Sequence, residues 1–550
     1  MRKPAVRVYR NTCLARGELP VVIKEMKWFA VLPAVLVLGT AHAGFNYSTG
    51  GGQTLLLTGY LREHIAVNLE DHPEAGASGV RRLDGKGEIS MLRSTFRLEA
   101  KADLNWAQFI GRYRVDREHE TGYLDDINDT LGSGNNWMDD IEGDQMREWF
   151  TTFEVGSRVR ATLGKQQVVW GETDFFRAMD IIHGYDLRWR SFLETENEEL
   201  RKPLILANVE IEIPELNGSL QLIFRPGWDK AKELGNSIDV RGGRWAGQPT
   251  KGIDFIPVLP YNDDHRRADT DDPNYGFRWS SDAWGWGYSL NYWRGLNVDP
   301  VANSFFGAWG STPVPNGNPF QLGELIFPKV ETFGATASGY VEPIDSVIRL
   351  EVAFTPDKPY NVGTDFGLPV GPGATLWVPG LAGIKEKNTL VSMIGIDKQI
   401  KGLSEKLGTS QFPLVSVQIF DTWLTNFKQS DDIVEVLGYG APRREHTTYL
   451  TGLFQLNYSH NTINPSIAGV IDAGNGDVAL IPALDLVYGD HWRIHTDMDL
   501  FFVHHQKNVK RFGGALFNED TFSPSAEDNT HLLGTFANNS QFNLRVTYQF

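Results

Sequence analysis

The sequence predicts an all-β protein, a transmembrane antiparallel β-barrel of about 18 strands, 16 and 20 being the neighbouring even numbers, with short periplasmic turns and long extracellular loops. Three observations predict it. Segments that alternate apolar and polar residues with a period of two recur along nearly the whole chain. The connections between them alternate long and short, the parity of a barrel whose turns and loops lie on opposite sides. The chain ends on a strand of the same kind, in which Phe542, Leu544, Val546, Tyr548 and Phe550 share one face and Gln541, Asn543, Arg545, Thr547 and Gln549 the other.

Residues 1–25 carry no periodicity and are expected to be a non-native extension ahead of Met26. Met26-Lys27, the apolar run from Trp28 to Leu38 and the small residues of Ala41-His42-Ala43 then read as a secretory signal peptide over 26–43. That leaves 44–550 as a single barrel domain. The only cysteine, Cys13, falls in the leader, so no disulfide, thiolate metal site or cysteine nucleophile is expected in the mature chain. Residues 1–43 hold seven of the 52 Lys/Arg and two of the 69 Asp/Glu, leaving 45 basic and 67 acidic residues, a formal charge of −22. Nucleic acid is a poor partner for so acidic a chain. No internal run approaches the roughly 20 apolar residues of a membrane helix. A mean hydropathy of −0.30 with 41% hydrophobic residues is compatible with a barrel, because every second strand residue is polar.

In order, the alternating segments are 53–69, 89–104, 106–118, 145–156, 158–169, 204–213, 217–226, 273–281, 284–296, 328–341, 345–355, 386–400, 412–426, 446–459, 464–474, 477–489, 491–506 and 541–550. The second is among the clearest: Leu92, Ser94, Phe96, Leu98, Ala100 and Ala102 alternate with Arg93, Thr95, Arg97, Glu99, Lys101 and Asp103. Between them, 70–88 is followed by Asn105 alone, 119–144 by Ser157, 170–203 by 214–216 and 227–272 by 282–283. The series runs on to 507–540, with 475–476 an unusually short member on the long side. Tryptophans near strand ends, Trp106, Trp149, Trp170, Trp279, Trp284, Trp286, Trp293, Trp423 and Trp492, suit interfacial girdles.

With the oily face outward, the lumen-lining face carries Arg93, Arg97 and Glu99, then Arg112 and Arg114, Glu148, Arg158 and Arg160, Glu210 and Glu212, Arg225, Arg349 with Glu351, and Arg493 with Asp497. Signs tend to alternate between neighbouring strands, so basic and acidic rows can pair laterally. Such a wall is either a wet pathway that orients a permeating solute or a lattice of ion pairs with no role in selection.

The long connection after Trp170 is a candidate constriction loop. Phe175, Phe176, Met179 and Ile182 recur at near-helical spacing, and Arg177, Arg188, Arg190 and Arg201 lie in sequence close to Glu172, Asp174, Asp180 and Glu194. A loop with apolar and charged members can fold inward and narrow the bore, or pack over the mouth; the sequence leaves both open. The acidic clusters Asp125 to Asp144 and Asp263 to Asp272 lack the spacing of a calcium loop and read as solvated loops. His504 and His505, adjacent in a strand, cannot both face the lumen, so no metal site is assigned there. The chain has no Gly-x-Ser-x-Gly, no His-Glu-x-x-His and no phosphate-binding glycine loop. No catalytic residue and no cofactor is assigned, and an enzyme is not expected.

The segment Gly164-Lys165-Gln166-Gln167-Val168-Val169-Trp170-Gly171-Glu172, with Asp180-Ile181-Ile182 and Glu199-Leu200-Arg201-Lys202-Pro203, resembles the Gly-Arg-Gln-x-Val-x-Trp-Gly-Glu signature of the proteobacterial family catalogued as "domain of unknown function 1302". Lys165 stands where the signature has Arg. The resemblance implies an outer-membrane barrel of a Gram-negative bacterium, associated with lipid-handling or hydrophobic-compound export systems, hence an inner-membrane export pump as a partner. It brings no binding residues. The terminal strand with Tyr548 and Phe550 also resembles the signal read by the outer-membrane barrel assembly machinery. The expectation is therefore a channel, or the outer-membrane part of a transport system, seated in outer-membrane lipid and lipopolysaccharide and passing solutes or hydrophobic compounds. A barrel-type lipid hydrolase and a plugged structural barrel are the alternatives.

Overall fold

In the computed structural model, which describes residues 44–76, 79–83, 85–129, 143–188, 190–194, 197–247, 254–307, 309, 321–372, 374–503 and 531–550, the main sheet has 19 strands and 18 of them close into a ring. The leader, His504, His505 and much of the Asp125 to Asp144 cluster lie outside the described residues. Every ring strand pairs antiparallel with its neighbours in sequence. They are β1 (Thr54–Asn68), β2 (Ile89–Asp103), β3 (Gln108–Glu118), β4 (Gly143–Val155), β5 (Val159–Gln166), β6 (Leu204–Ile213), β7 (Gly218–Arg225), β8 (Asn274–Ala283) and β9 (Trp286–Leu296). The ring continues with β10 (Lys329–Val341), β11 (Ser346–Val362), β12 (Gly383–Gln399), β13 (Leu414–Leu424), β14 (His446–Gln455), β15 (Ile463–Asp472), β16 (Val478–Tyr488), β17 (Trp492–Phe502) and β18 (Gln541–Gln549). All eighteen predicted segments are strands of this ring, and the long and short connections alternate as read from the sequence.

The faces divide by polarity in the sense opposite to a water-soluble domain. On β18, Gln541, Asn543, Arg545 and Thr547 are buried, while Phe542, Leu544, Val546 and Tyr548 point outward and are partly exposed. Ile394 and Ile396 on β12 and Val417 and Ile419 on β13 are likewise exposed, beside the buried Ser416 and Gln418. An outer surface of this kind is matched to hydrocarbon rather than water.

Closure is made by β18 on β1, in register from Tyr60 opposite Gln549 to Asn68 opposite Gln541. Beyond it, the backbones of Gly59 and Phe550 exchange two hydrogen bonds of 2.9 Å. The Phe550 ring lies over Gly59 and stacks on Phe96 at 6.4 Å, so the seam has room for the terminal aromatic only because residue 59 has no side chain. A Cβ there would meet the Arg97 carbonyl at 2.4 Å and the Phe550 ring at 2.7 Å. Gly59→Val is therefore expected to cost about 1–3 kcal/mol or more and to lower the fraction of heat-modifiable, folded barrel on a gel; an unchanged fraction would show that the seam does not need the terminal ring. The nineteenth strand, Phe45–Ser48, pairs with the first residues of β1, where β18 has already ended.

Two departures have simple causes. The eleventh segment was expected to stop at Thr355, before Pro356; the strand instead absorbs the proline in a bulge between Thr355 and Lys358, with Asp357 at φ 48°, and runs on to Val362. The tryptophans do not all sit in girdles. Trp106 and Trp284 are exposed on short turns, but Trp170 and Trp293 are buried in the lumen, edge to face at 6.1 Å.

Candidate functional site

The connection from β5 to β6, residues 167–203, leaves the rim and crosses the bore. Its first leg reaches β11 and β13. Glu351 of β11 accepts hydrogen bonds from the backbone amides of Glu172 and Met179, the latter at 3.1 Å. Arg349 donates to the Glu172 carbonyl and pairs with Asp174 at 3.1 Å, and Gln418 of β13 donates to Asp174 at 2.6 Å. Its last residues reach the opposite wall. Glu194 pairs with Arg545 of β18 at 2.9 Å and Arg93 of β2 at 3.4 Å. Glu198 pairs with Arg112 at 3.1 Å and Arg97 at 3.2 Å, and Glu199 with Arg62 of β1 at 2.7 Å and the Tyr60 hydroxyl at 2.5 Å. In a ring of 18, β2 and β11 stand nine places apart, so the loop is a strap anchored on opposite walls. Of the two arrangements the sequence left open, the structure has the inward one.

Between these anchors Arg190 reaches β17. Its Nη2 lies 2.8 Å from Asp497 and 2.9 Å from Asp499, and Asn543 donates to both carboxylates. All three charged side chains are about 1% exposed or less. Where the legs meet, Val168 N–H donates to His183 Nε2 at 2.9 Å, so the ring proton resides on Nδ1, which donates to the Lys202 carbonyl at 2.9 Å. Arg201 pairs with Asp180 at 2.6 Å, and Tyr185 donates to the same carboxylate. The Asn197 amide touches the Asp174 carbonyl at 3.2 Å, tying one leg to the other.

The loop's apolar residues split between two clusters, and the stretch that carries them is irregular rather than helical. Phe176 packs on Phe420 and Tyr449, in a cluster with Met393, Val470, Ile481 and Phe501. Met179 and Ile182 join Trp170, Trp293 and Leu206 instead. Met179 fits because β10 has Gly334 there: a Cβ at that position would lie 2.1 Å from its sulfur. The inner wall from β12 to β17 is thus partly apolar, not charged throughout as expected.

The predicted lumen residues sort by height. Arg93, Arg97, Arg112, Arg114, Glu148, Arg349, Glu351 and Asp497 all face the strap or its immediate partners; Arg114 donates to the Glu199 carbonyl and pairs with Asp116 at 2.8 Å. Arg158 pairs with Glu215, and Arg160 with Glu154, on the exposed turn side away from the strap, where Glu212 is also exposed. Glu210 receives the Gln221 amide at 3.4 Å, and Arg493 donates to the carbonyls of Gly489 and Trp492 at the rim. Arg225 lines no passage: it is clamped to Asp229 at 2.6 Å and to the Thr270 carbonyl, closing the base of the next loop. Lateral pairing exists, as in Arg112 with Glu99 at 2.7 Å and with Glu148 at 3.1 Å, but the deeply buried charges pair mostly with the strap. Of the loop candidates, Arg188 pairs with Asp186 inside the loop, and Arg177 stacks over the Tyr185 ring at 4.0 Å.

Arg147 is a residue that period two hides. A bulge opposite Arg112 and Tyr113 inserts one residue into β4, so Arg147 and Glu148 both point inward. The Arg147 Nη2 lies 2.6, 2.7 and 2.8 Å from the carbonyls of Glu198, Glu199 and Arg201.

Two loop groups make the strap acid-sensitive. Burial pushes the Glu194 carboxyl up, but Arg545, Arg190 and Arg93 outweigh it and hold it down at about 2, against an ordinary 4.5. Burial lowers His183 from 6.5 to about 4. Both folded values are depressed, so the stabilisation is complete above the ordinary values and is lost as pH falls through the folded ones. Acidification from pH 6 to 2 is expected to loosen the strap progressively, read as rising protease cleavage within 170–200; a cleavage rate flat across that range would contradict this.

The strap's two legs are the segments Gly164 to Glu172 and Glu199 to Pro203 that carry the family signature. A model of that family, described as "Protein of unknown function (DUF1302)", matches residues 146–550. The chain belongs to the DUF1302 family. No curated protein matches it. Solved structures it is similar to include a loop L8 deletion mutant of OmpT, an outer membrane protein of Vibrio cholerae, at 8% identity over 90% of this chain and 99% of that one, with a TM-score of 0.31. The outer membrane channel DcaP of Acinetobacter baumannii matches at 10% over 92% and 100%, with a TM-score of 0.36. An anion-selective porin from Comamonas acidovorans matches at 10% over 90% and 100%, with a TM-score of 0.33. In DUF1302 terms, the signature glycines are where backbone passes backbone: a Cβ on Gly164 would sit 2.3 Å from the Trp149 carbonyl, and one on Gly171 would sit 3.0 Å from the Asp180 amide.

Proposed function

We propose that this DUF1302 barrel is an outer-membrane channel whose bore is set by the strap 167–203. The observation that carries the reading is the strap's anchorage on opposite walls, with Glu198 on β2 and β3 and Asp174 on β11 and β13. The apolar outer face would sit in outer-membrane lipid, with lipopolysaccharide around the long loops, and the terminal strand would be the handle for the assembly machinery. An inner-membrane pump would deliver cargo at the turn side.

A second reading, a plugged barrel, draws on the deeply buried ion pairs that fix the strap. Planar-bilayer recording on the purified protein separates them. Steady conductance that scales with salt supports the channel; a silent bilayer with correctly folded protein would favour the plug.

A further inference from the structure

Arg278 of β8 is the exception in this lumen. The strand arginines named above each have a carboxylate or at least two backbone carbonyls within reach. Arg278 has one hydrogen bond, a long one of 3.5 Å from Nη1 to the Val169 carbonyl, and its buried Nε has no partner. Among the described residues no carboxylate comes within ion-pair distance of it. The charged groups facing it are Glu172 on the strap, Glu351 on β11 and Glu210 on β6. None of these pairs with it, and Glu210 accepts the Gln221 amide instead, at 3.4 Å. Glu351 is held by two strap amides, and Glu172 is fixed through its backbone to Glu351 and Arg349. The Glu172 carboxylate itself has no partner among the described residues. A guanidinium has five donors in a fork that fits a carboxylate edge to edge, and here most of that fork is unused. Val169, whose carbonyl that bond reaches, is itself 45% exposed and apolar.

We propose that Arg278 anchors a binding step for a carboxylate-bearing solute with an apolar body, at the place where the strap leaves the β5–β8 wall. The inference rests on the channel reading and deepens it: the solute's carboxylate takes the open fork, its apolar part lies on Val169, and the carboxylates of Glu172, Glu210 and Glu351 bar a second anion. Solutes without a carboxylate pass the position unheld.

The test uses the full-length protein in planar bilayers in potassium chloride, with sodium benzoate as probe and benzyl alcohol as the uncharged control. Benzoate should reduce the ion current in a concentration-dependent way and benzyl alcohol should not. Arg278→Ala should raise the half-blocking concentration about tenfold or more, with Arg278→Lys in between because an ammonium cannot pair edge to edge. Heat-modifiable migration confirms folding, and Arg278→Gln, which keeps side-chain bulk, stands in if the alanine variant does not fold. Absence of block, or equal block in wild type and Arg278→Ala, overturns the proposal while leaving the channel standing. If the wild type does not conduct, the channel reading fails, and calorimetric titration of benzoate into detergent-solubilised protein decides the site alone: heat lost in Arg278→Ala supports it, and no heat in the wild type overturns it.

Discussion

Arg190→Ala is expected to release the strap from the β17–β18 wall. The substitution leaves Asp497 and Asp499 buried two residues apart on one strand face with, among the described residues, Asn543 and His495 in reach. Removing one partner from a buried ion cluster costs about 3–5 kcal/mol, mostly as the penalty of the charge left behind. Melting of the strap should therefore precede melting of the barrel, seen as protease cleavage within 170–200 while heat-modifiable migration persists. Arg190→Lys should recover little, since one compact ammonium cannot serve both carboxylates as a planar fork does. The triple variant Arg190→Ala, Asp497→Asn, Asp499→Asn should recover much of the loss, because it removes the stranded charges as well. Equal protease resistance in wild type and Arg190→Ala would mean the strap is held without this cluster.

Arg147→Ala is expected to rank next. One guanidinium nitrogen, with two hydrogens, lies within hydrogen-bond distance of three carbonyls at the short helix Asn197–Leu200 and the residue after it, all against the β4 wall. The substitution leaves the Arg201 carbonyl without its buried donor at about 1–3 kcal/mol, less what water recovers on entry, and leaves the Glu198 and Glu199 carbonyls to the weaker 3.2 Å bonds from Gln167 and Arg114. Glu198 and Glu199 would keep their side-chain partners but lose the backbone clamp that aims them. The expected readout is a lower unfolding temperature and a noisier, larger conductance, with Arg147→Lys intermediate. An Arg147→Ala barrel with wild-type melting and conductance would show that the strap is aimed without this clamp.

The barrel was legible because its signal is repeated: eighteen segments each carry the period, and an error in one is corrected by loop parity across the rest. The strand ends were less legible where a local rule misleads, as at Pro356, which ends a strand in isolation but is tolerated at a bulge. The strap was legible only as a candidate. Its charged residues stand out in sequence, yet their partners lie more than a hundred residues away for Glu194 with Arg93 and more than three hundred for Arg190 with Asp497. Proximity in sequence suggested pairs inside the loop, and among the described residues Arg201 with Asp180 and Arg188 with Asp186 formed there. Arg147 was invisible because a bulge shifts the parity on which the reading depends. Trp170 and Trp293 were assigned to the girdle because composition records that they are aromatic, not that glycines at 276 and 295 make room for them inside. Arg278 has the opposite history: its significance is the partner it lacks, which no sequence pattern states.

In the proposed channel, residues 167–203 cross the bore and set its width. The most direct measurement compares single-channel conductance of the wild type with that of a variant lacking residues 173–200, both shown by heat-modifiable migration to be folded barrels. Removing the strap between its first anchor and Arg201 should raise conductance severalfold. Equal conductance with and without residues 173–200 would contradict the claim and place the width-setting element elsewhere in the lumen.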